Sequence, residues 1–170
     1  MYNSISTSLI EAIISREELI TYASTIDTSP LVLISISEPI FENYKDEALP
    51  ASITSKFKDS LSVNFWDIED DIPPYLAITD DIAYQIQQFI LANLDQRFII
   101  HCRAGVSRSA GVGKAIECIK YFGIGDQARY GYTTCFTSEI DQHTRYFPNR
   151  TVFNKITKDY HDHYPTTITS

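Results

Sequence analysis

Apolar and polar positions along the chain fall into two alternating patterns: short apolar runs, and longer segments with apolar residues every three or four positions. Short runs rich in β-branched residues predict buried strands, and helical spacing predicts amphipathic helices. We predict a short strand at the opening of segment 4–14 and further strands over 31–36, 62–68 and 98–100. The polar segment 37–60, which contains two prolines, is expected to hold loops and a short helix.

Helix boundaries are indicated by capping residues between these runs. Ser15 is followed three residues later by Glu18, the arrangement of a capping box. Thr79 is a suitable N-cap for the next apolar helix, and the helix after the 98–100 run is predicted to end at Gly123. A last helix is expected to start at Pro148. Segment 123–147 is assigned to no element.

Strands that alternate with helices are typical of an α/β domain with at least partly parallel strands. A chain of 170 residues is long enough to bury a core without disulfides or a structural metal. Apolar residues make up 44% and aromatic residues 12%, as in folded globular proteins rather than disordered ones. We therefore expect residues 1–170 to form one domain.

Charge and cysteine content narrow the class of protein. A net charge of −8 argues against a nucleic-acid or membrane-surface binder, because both depend on clustered cations. The chain has neither a run of about 18 apolar residues nor a basic region ahead of an apolar one at the N-terminus, so no membrane association or secretion is expected. Cys102, Cys118 and Cys135 form no CxxC pair and suit free thiols in the cytoplasm. Cys118 is expected to be a packing residue, and a redox role for Cys135 with Cys102 stays open.

The stretch IHCRAGVSRSAG, residues 100–111, lies between the 98–100 run and the helix that ends at Gly123. A strand that leads through a short loop into a helix directs backbone N–H groups at one point, which makes an anion site. Gly105 gives the loop the freedom to curl around a tetrahedral anion. Arg108 adds a planar fork of donors that holds two oxygens at once.

Cys102 is predicted to lie beneath this anion site. Helix N-termini and neighbouring cations lower the pKa of a cysteine thiol into the range of about 3.5 to 7.5. A thiolate held below a bound phosphoryl group is a nucleophile in position to attack phosphorus. The residues therefore predict a phosphate site with a cysteine nucleophile.

HCRAGVSRS resembles the His-Cys-x5-Arg-Ser/Thr signature of the protein tyrosine phosphatase superfamily, in a form most similar to the small dual-specificity phosphatases. The stretches LVLISISEP, NFWDI, FILANL and FPNRTVFNKI also resemble segments of compact bacterial and phage-type members. The resemblance implies an α/β fold with a central, mostly parallel sheet of about four or five strands flanked by helices. It places the phosphate-binding loop between a central strand and a helix.

The mechanism of that superfamily is carried over onto the matching residues. By resemblance, Cys102 forms a phosphocysteine intermediate and Arg108 holds the phosphoryl group. Ser109 hydrogen-bonds the sulfur, and His101 helps to set the thiol pKa from below the loop. The residues implied to bind the phosphate mainly through their backbone are Arg103, Ala104, Gly105, Val106 and Ser107. No metal or other cofactor is implied, because the cradle itself neutralises the phosphate.

The resemblance also implies a general-acid aspartate some thirty-odd residues before the cysteine. Asp67, Asp70 and Asp71 lie in that window. We favour Asp67, because it follows the NFW run and FWDI resembles the corresponding segment of the compact relatives. Asp70 is the alternative, since its spacing to Cys102 is nearer to that of the shorter dual-specificity enzymes. The Trp-Pro-Asp triplet of tyrosine-specific enzymes does not occur, because Trp66 directly precedes Asp67.

The implied function is hydrolysis of phosphotyrosine in a protein or peptide, with phosphoserine and phosphothreonine open as further substrates. A phosphoinositide, an RNA 5′ end or a nucleotide is the alternative substrate, although the loop carries no cation between Arg103 and Arg108 to meet extra charge. A second alternative is a phosphate-binding module without turnover. The presence of nucleophile, arginine and candidate acid argues against that module.

Overall fold

The computed structural model describes residues 9–39, 48–127 and 145–160. Cys135 and most of the unassigned segment 123–147 lie outside these residues. The described elements, in chain order, are β1 (Ile10–Ser15), α1 (Arg16–Thr25), β2 (Leu31–Ser37), α2 (Ala51–Thr54), β3 (Asp59–Asn64), α3 (Asp80–Ala92), β4 (Arg97–Cys102), α4 (Arg108–Phe122) and α5 (Arg150–Ile156).

The strands form one parallel sheet in the order β1-β4-β2-β3. Every residue of β2 is buried, as expected for an inner strand covered on both faces. The 98–100 run lies in β4, which is paired on both sides, as predicted. The predicted α/β class, with a mostly parallel sheet of four or five strands flanked by helices, is confirmed.

Alternate strand residues face two separate apolar layers, because successive side chains of a strand point to opposite faces. Val32, Ile34 and Ile100 join the layer formed with α3, α4 and α5. Leu33 and Ile99 join the smaller layer formed with α1 and α2. The sheet is therefore enclosed between two groups of helices.

Adjacent strands β1 and β4 send the chain to opposite faces of the sheet. The chain enters α1 after β1, on the side of the smaller layer, and α4 after β4, on the side of the larger one. Diverging connections open a crevice at the carboxyl ends of two such strands, the place where open α/β sheets bind ligands. The loop after Cys102 begins at this crevice, beside Ser15.

Local capping signals are confirmed at three helix ends. Ser15 and Glu18 exchange side-chain and backbone hydrogen bonds, which completes the predicted capping box of α1. The Thr79 hydroxyl accepts from the Ile82 amide at the start of α3. Helix α4 ends at Gly123, whose φ of 78° lies in the region that favours glycine.

Strand β3 differs from the predicted strand over 62–68. It starts at Asp59 and ends at Asn64, and most of its side chains are exposed. As an edge strand with a solvated face, β3 is held by backbone pairing to β2. Its first residues are polar, so the sequence pattern does not mark where the strand begins. Phe65, which the apolar run had placed in the strand, is buried after its end.

Helices α4 and α5 also differ in detail from the predictions. Residues of α4 from Arg108 to Ile119 are buried all round the helix, whereas Phe122 at its end is 38% exposed. Helix α5 is capped by Asn149, one residue after the predicted start at Pro148. Within the described ranges, no helix has the length and apolar character needed to cross a membrane.

Candidate active site

Cys102 is the last residue of β4 and is only 1% exposed. Its side chain belongs to the larger apolar layer, and its backbone pairs with Ser15 of β1. The sulfur lies 3.1 Å from the hydroxyl oxygen of Ser109, in the first turn of α4. The predicted nucleophile and its predicted hydroxyl partner are therefore brought together.

The pKa of the Cys102 thiol is set by opposing effects. Burial raises it, because desolvation disfavours the charged thiolate. The hydroxyl and amide of Ser109, the positive charge of Arg108 and the amide of Val106 all favour the thiolate. Their combined effect outweighs burial and lowers the pKa below its ordinary value. The thiolate fraction at neutral pH is thus larger than that of an unperturbed cysteine.

Replacing Ser109 with alanine is expected to raise the pKa of Cys102, because it removes the hydroxyl that favours the thiolate most strongly. Alkylation by iodoacetamide requires the thiolate, so the midpoint of its pH dependence should move to higher pH. The measurement is the alkylation rate at Cys102 against pH, followed by mass spectrometry. An unchanged or lower midpoint would contradict the assigned role of the hydroxyl.

The loop over residues 103–107, here the Cys102 loop, is held by hydrogen bonds to its carbonyl groups. The Arg103 carbonyl accepts from the Arg16 amide at 3.4 Å, and the Val106 carbonyl accepts from the Phe147 amide at 3.0 Å. Because these carbonyls bond to segments outside the loop, they are turned away from its centre. Amides of the same region are then left to face the sulfur, as those of Val106 and Ser109 do.

Gly105 brings the Cys102 loop into close contact with the junction of β1 and α1. Its φ is +68°, a conformation that L side chains rarely adopt. An added Cβ would lie 2.3 Å from the carbonyl carbon of Ile14 and 2.4 Å from the amide nitrogen of Ser15. Both are backbone atoms of a packed strand end, so only glycine fits here.

Gly105→Ala should displace the loop and abolish tight binding of an oxyanion, with a loss of about 2 to 4 kcal/mol in the free energy of unfolding. Gly123→Ala is the matched control, because Gly123 also has a positive φ but the described part of the chain places no atom within 4 Å of the added Cβ. Urea unfolding and calorimetric binding of phenylphosphonate measure both effects. Equal loss of binding in the two variants would contradict the importance of the contact at Gly105.

Arg108, the first residue of α4, is 2% exposed. Its Nη1 donates to the Phe65 carbonyl at 2.9 Å, and its Nη2 donates to Glu38 Oε1 at 3.2 Å. Its Nε is buried and has no hydrogen-bond partner among the described residues. A buried donor without a partner carries a desolvation cost, and an oxyanion bound in the Cys102 loop would remove that cost.

Glu38, directly after β2, was not identified from the sequence. Its second oxygen lies 3.7 Å from Nη1 of Arg103, so one carboxylate holds two arginines near the loop. Arg103 has 58% of its side chain exposed, whereas Arg108 is enclosed. The sequence signal that could have identified Glu38 was its position at the carboxyl end of an inner strand, where ligand sites of α/β sheets lie.

Asp67 is held against the Cys102 loop by two donors to the same oxygen. The Ser107 hydroxyl donates to its Oδ1 at 2.7 Å, and the Asn149 side-chain amide donates to it at 3.0 Å. Asp70 is exposed, and Asp71 accepts from the amide of Ala77 within its own loop. Asp67 is therefore the candidate acid that is hydrogen-bonded to the Cys102 loop, through Ser107.

The two serines at the start of α4 have different partners. Ser107, not Ser109, is the N-cap residue, and its side chain makes no capping hydrogen bond. Its hydroxyl donates to Asp67 instead. Ser109 is the second residue of the helix and faces the sulfur. The Ser109 hydroxyl is therefore engaged with Cys102 and does not cap the helix.

His101 is buried and lies on the opposite face of β4 from Cys102, since neighbouring residues of a strand alternate. Its Nε2 lies 2.7 Å from the hydroxyl oxygen of Ser35, its registered neighbour on β2. The contact fixes the orientation of the imidazole. An influence of His101 on the thiol pKa remains a prediction.

Asn149 is a second residue whose role the sequence did not reveal. Its side-chain oxygen caps α5 through the Val152 amide, and its side-chain nitrogen donates to Asp67. Its own amide donates to the Ser107 carbonyl at 3.2 Å. Gly111 permits this approach, because a Cβ there would lie 2.8 Å from the Asn149 carbonyl oxygen. A helix cap thereby also positions a candidate acid.

An open cleft of about 460 Å³ adjoins the Cys102 loop. Asp67 and Ser107 lie among its lining residues, which also include Tyr146, Phe147, Pro148 and Arg150. Its volume falls within the range of small-molecule and side-chain binding pockets. The cleft is therefore large enough to take the organic part of a phosphate ester.

Comparison with known proteins gives a structural match but no sequence match. No family model and no curated protein sequence matches this chain. Among solved structures, the chain is similar to the crystal structure of human tyrosine phosphatase-like serine/threonine/tyrosine-interacting protein. The TM-score is 0.48 and the sequence identity 16%, over 84% of this chain and 82% of that one.

Proposed function

We propose that the protein is a cysteine-dependent phosphomonoesterase that hydrolyses phosphotyrosine in proteins or peptides. The observation that carries the proposal is the environment of Cys102. Its thiol has a lowered pKa, and the Nε of the buried Arg108 beside it has no hydrogen-bond partner within residues 9–39, 48–127 and 145–160. A phosphoryl group bound in the Cys102 loop would meet the nucleophile on one side and the Nε donor of Arg108 on another.

In the first step, the Cys102 thiolate attacks phosphorus and forms an S–P bond while the bond from phosphorus to the leaving oxygen breaks. Arg108 and the inward-facing amides stabilise the charge on the three remaining oxygens throughout the transfer. The leaving oxygen receives a proton from Asp67 and departs as a tyrosine hydroxyl. The product of this step is phosphocysteine.

In the second step, water attacks the phosphocysteine and gives up a proton to the Asp67 carboxylate. The S–P bond breaks, inorganic phosphate is released and the thiolate is restored. Ser109 stabilises the departing sulfur through the contact of 3.1 Å. One aspartate thus acts as acid and then as base.

The contacts of Asp67 support this role by distinguishing its two oxygens. Oδ1 of Asp67 accepts hydrogen bonds from both Ser107 and Asn149, so this oxygen is the unprotonated one of the carboxyl group. The proton of the neutral acid is then carried by Oδ2. The two donors thereby orient the carboxyl group, so that Oδ2 is the atom that serves the leaving oxygen.

A protein substrate is favoured over a polyphosphorylated or nucleic-acid substrate by charge. The loop has no Lys or Arg between Arg103 and Arg108, and the net charge of the chain is −8. A substrate with several phosphates would therefore meet net repulsion around a single binding site. A phosphorylated side chain presents only one dianion.

Hydrolysis of a phosphotyrosine peptide in the presence of a metal chelator tests the proposal. Acid quenching during turnover should trap phosphate on Cys102, which peptide mass spectrometry detects. Phosphoserine and phosphothreonine peptides, a phosphoinositide and an RNA with a 5′ triphosphate are compared in the same assay. Binding of phosphopeptide without any hydrolysis would show the non-catalytic alternative instead, and faster hydrolysis of the lipid or RNA would overturn the substrate assignment.

Asp67→Asn is expected to lower kcat by about 10² to 10⁴-fold on esters with poor leaving groups, because proton donation contributes in that range. The loss should shrink for esters whose leaving group is a good phenolate. Asp70→Asn, three residues along the same segment, is the matched control and should act like the wild type. Rates on a series of substituted phenyl phosphates provide the measurement. If the dependence of the rate on the leaving group changes in the Asp70 variant and not in the Asp67 variant, Asp70 is the general acid instead.

A further inference from the structure

We propose that Phe147 forms an aromatic subsite for the phenyl ring of the leaving group, and so gives the protein a preference for phosphotyrosine over aliphatic phosphate esters. The inference rests on the proposed function, since it assigns the organic half of the same substrate. It depends on the cleft that adjoins the Cys102 loop, on the anchoring of its walls and on the exposure of the Phe147 ring.

The position of the cleft identifies its occupant as the leaving group. Transfer to Cys102 requires the leaving oxygen to lie opposite the sulfur, and Asp67 must reach that oxygen to donate its proton. The organic group attached to this oxygen therefore extends along the surface beside Asp67. That surface is the cleft, because Asp67 and Ser107 line it.

Both walls of the cleft are anchored, so its shape is built into the fold. One wall follows Asp67, where the Glu69 carbonyl accepts from the Thr151 hydroxyl at 2.9 Å. The other wall contains Tyr146, whose hydroxyl donates to the Ile13 carbonyl at 3.2 Å. The Phe147 amide donates to the Val106 carbonyl of the Cys102 loop. The backbone of Phe147 is thereby attached directly to the cradle.

The Phe147 ring is the most exposed large apolar side chain among the described residues, at 70%. Tyr146 and Pro148 beside it are half-buried and line the same cleft. An aromatic ring at a cleft edge pairs well with a second ring, through offset or edge-to-face contact. A tyrosine ring offers that partner, whereas the single methylene of phosphoserine does not extend far enough to cover it.

The test measures binding of phenylphosphonate and methylphosphonate by calorimetry, since both present the same charged group and neither can be hydrolysed. The wild type should bind phenylphosphonate more tightly. Phe147→Ala should reduce this selectivity by about 3- to 10-fold, in line with the strength of aromatic pairs, while methylphosphonate binds as before. Phe147→Trp should preserve the selectivity, because it keeps an aromatic face.

Tyr121→Ala is the matched control, because Tyr121 is another exposed aromatic residue, at 61%, and does not line the cleft. It should leave the selectivity unchanged. If Phe147→Ala retains full selectivity, or if both phosphonates weaken equally, the subsite is refuted. A wild type that hydrolyses no phosphate ester would refute the proposed function, while the phosphonate ratio would still decide the subsite.

Discussion

Cys102→Ser is expected to lower turnover of a phosphotyrosine peptide by roughly 10⁴-fold or more, because removal of a catalytic nucleophile has effects of that size. A serine hydroxyl in the same place is not ionised near neutral pH, so the environment that favours a thiolate no longer produces a nucleophile. The cradle is unchanged, and a negative charge beside the phosphate has been removed. Phenylphosphonate should therefore bind at least as tightly as to the wild type.

Cys118→Ser is the control for this experiment. Cys118 is a buried cysteine in α4 and, like Cys102, belongs to the larger apolar layer. Its replacement is expected to reduce stability somewhat, because it buries a hydroxyl in an apolar site, but to preserve turnover per folded molecule. Turnover by the Cys102 variant equal to that of the wild type would overturn the mechanism.

Arg108→Lys is expected to lower kcat/KM by roughly 10³-fold or more, the scale on which an arginine stabilises a transferring phosphoryl group. Lysine keeps a positive charge near Glu38 but has neither the Nε donor nor the planar fork. The Phe65 carbonyl would also lose its partner at 2.9 Å. Both kcat and the affinity for phenylphosphonate should fall. Stopped-assay kinetics measures the first, and calorimetry measures the second.

Arg103→Lys provides the comparison within the same loop. Arg103 shares Glu38 with Arg108 but has an exposed side chain, and exposed ion pairs contribute little. Its replacement should change kcat/KM by no more than about threefold. If the two lysine variants lost the same activity, the enclosed position of Arg108 would not be the source of its effect.

The Cys102 loop could be predicted in detail because its chemistry depends on residues close together in sequence. Cys102 ends β4, Arg108 begins α4, and Gly105 forms the turn between them, so local geometry suffices to converge amides, cation and sulfur. The capping residues of α1 and α3 could be predicted for the same reason. A cap is an interaction between residues three positions apart.

Glu38 and Asn149 could not be predicted, because their contacts join distant parts of the chain. Glu38 meets Arg108 only where β2 lies beside β4, and Asn149 meets Asp67 only where α5 packs against α4 at Gly111. The β3 boundary was misplaced for a related reason. Backbone pairing with β2 holds an edge strand whose own side chains carry no clear pattern.

By itself, the sequence determined the α/β class and the strand–loop–helix unit, and it singled out Cys102 and Arg108 as the candidate nucleophile and its arginine, since these follow from short-range periodicity and spacing. Tertiary structure decided the rest of the candidate site. It attached Asp67 to the loop, paired Glu38 with Arg108 and placed Phe147 at the cleft, because each contact depends on which strands are neighbours and on which face each helix packs.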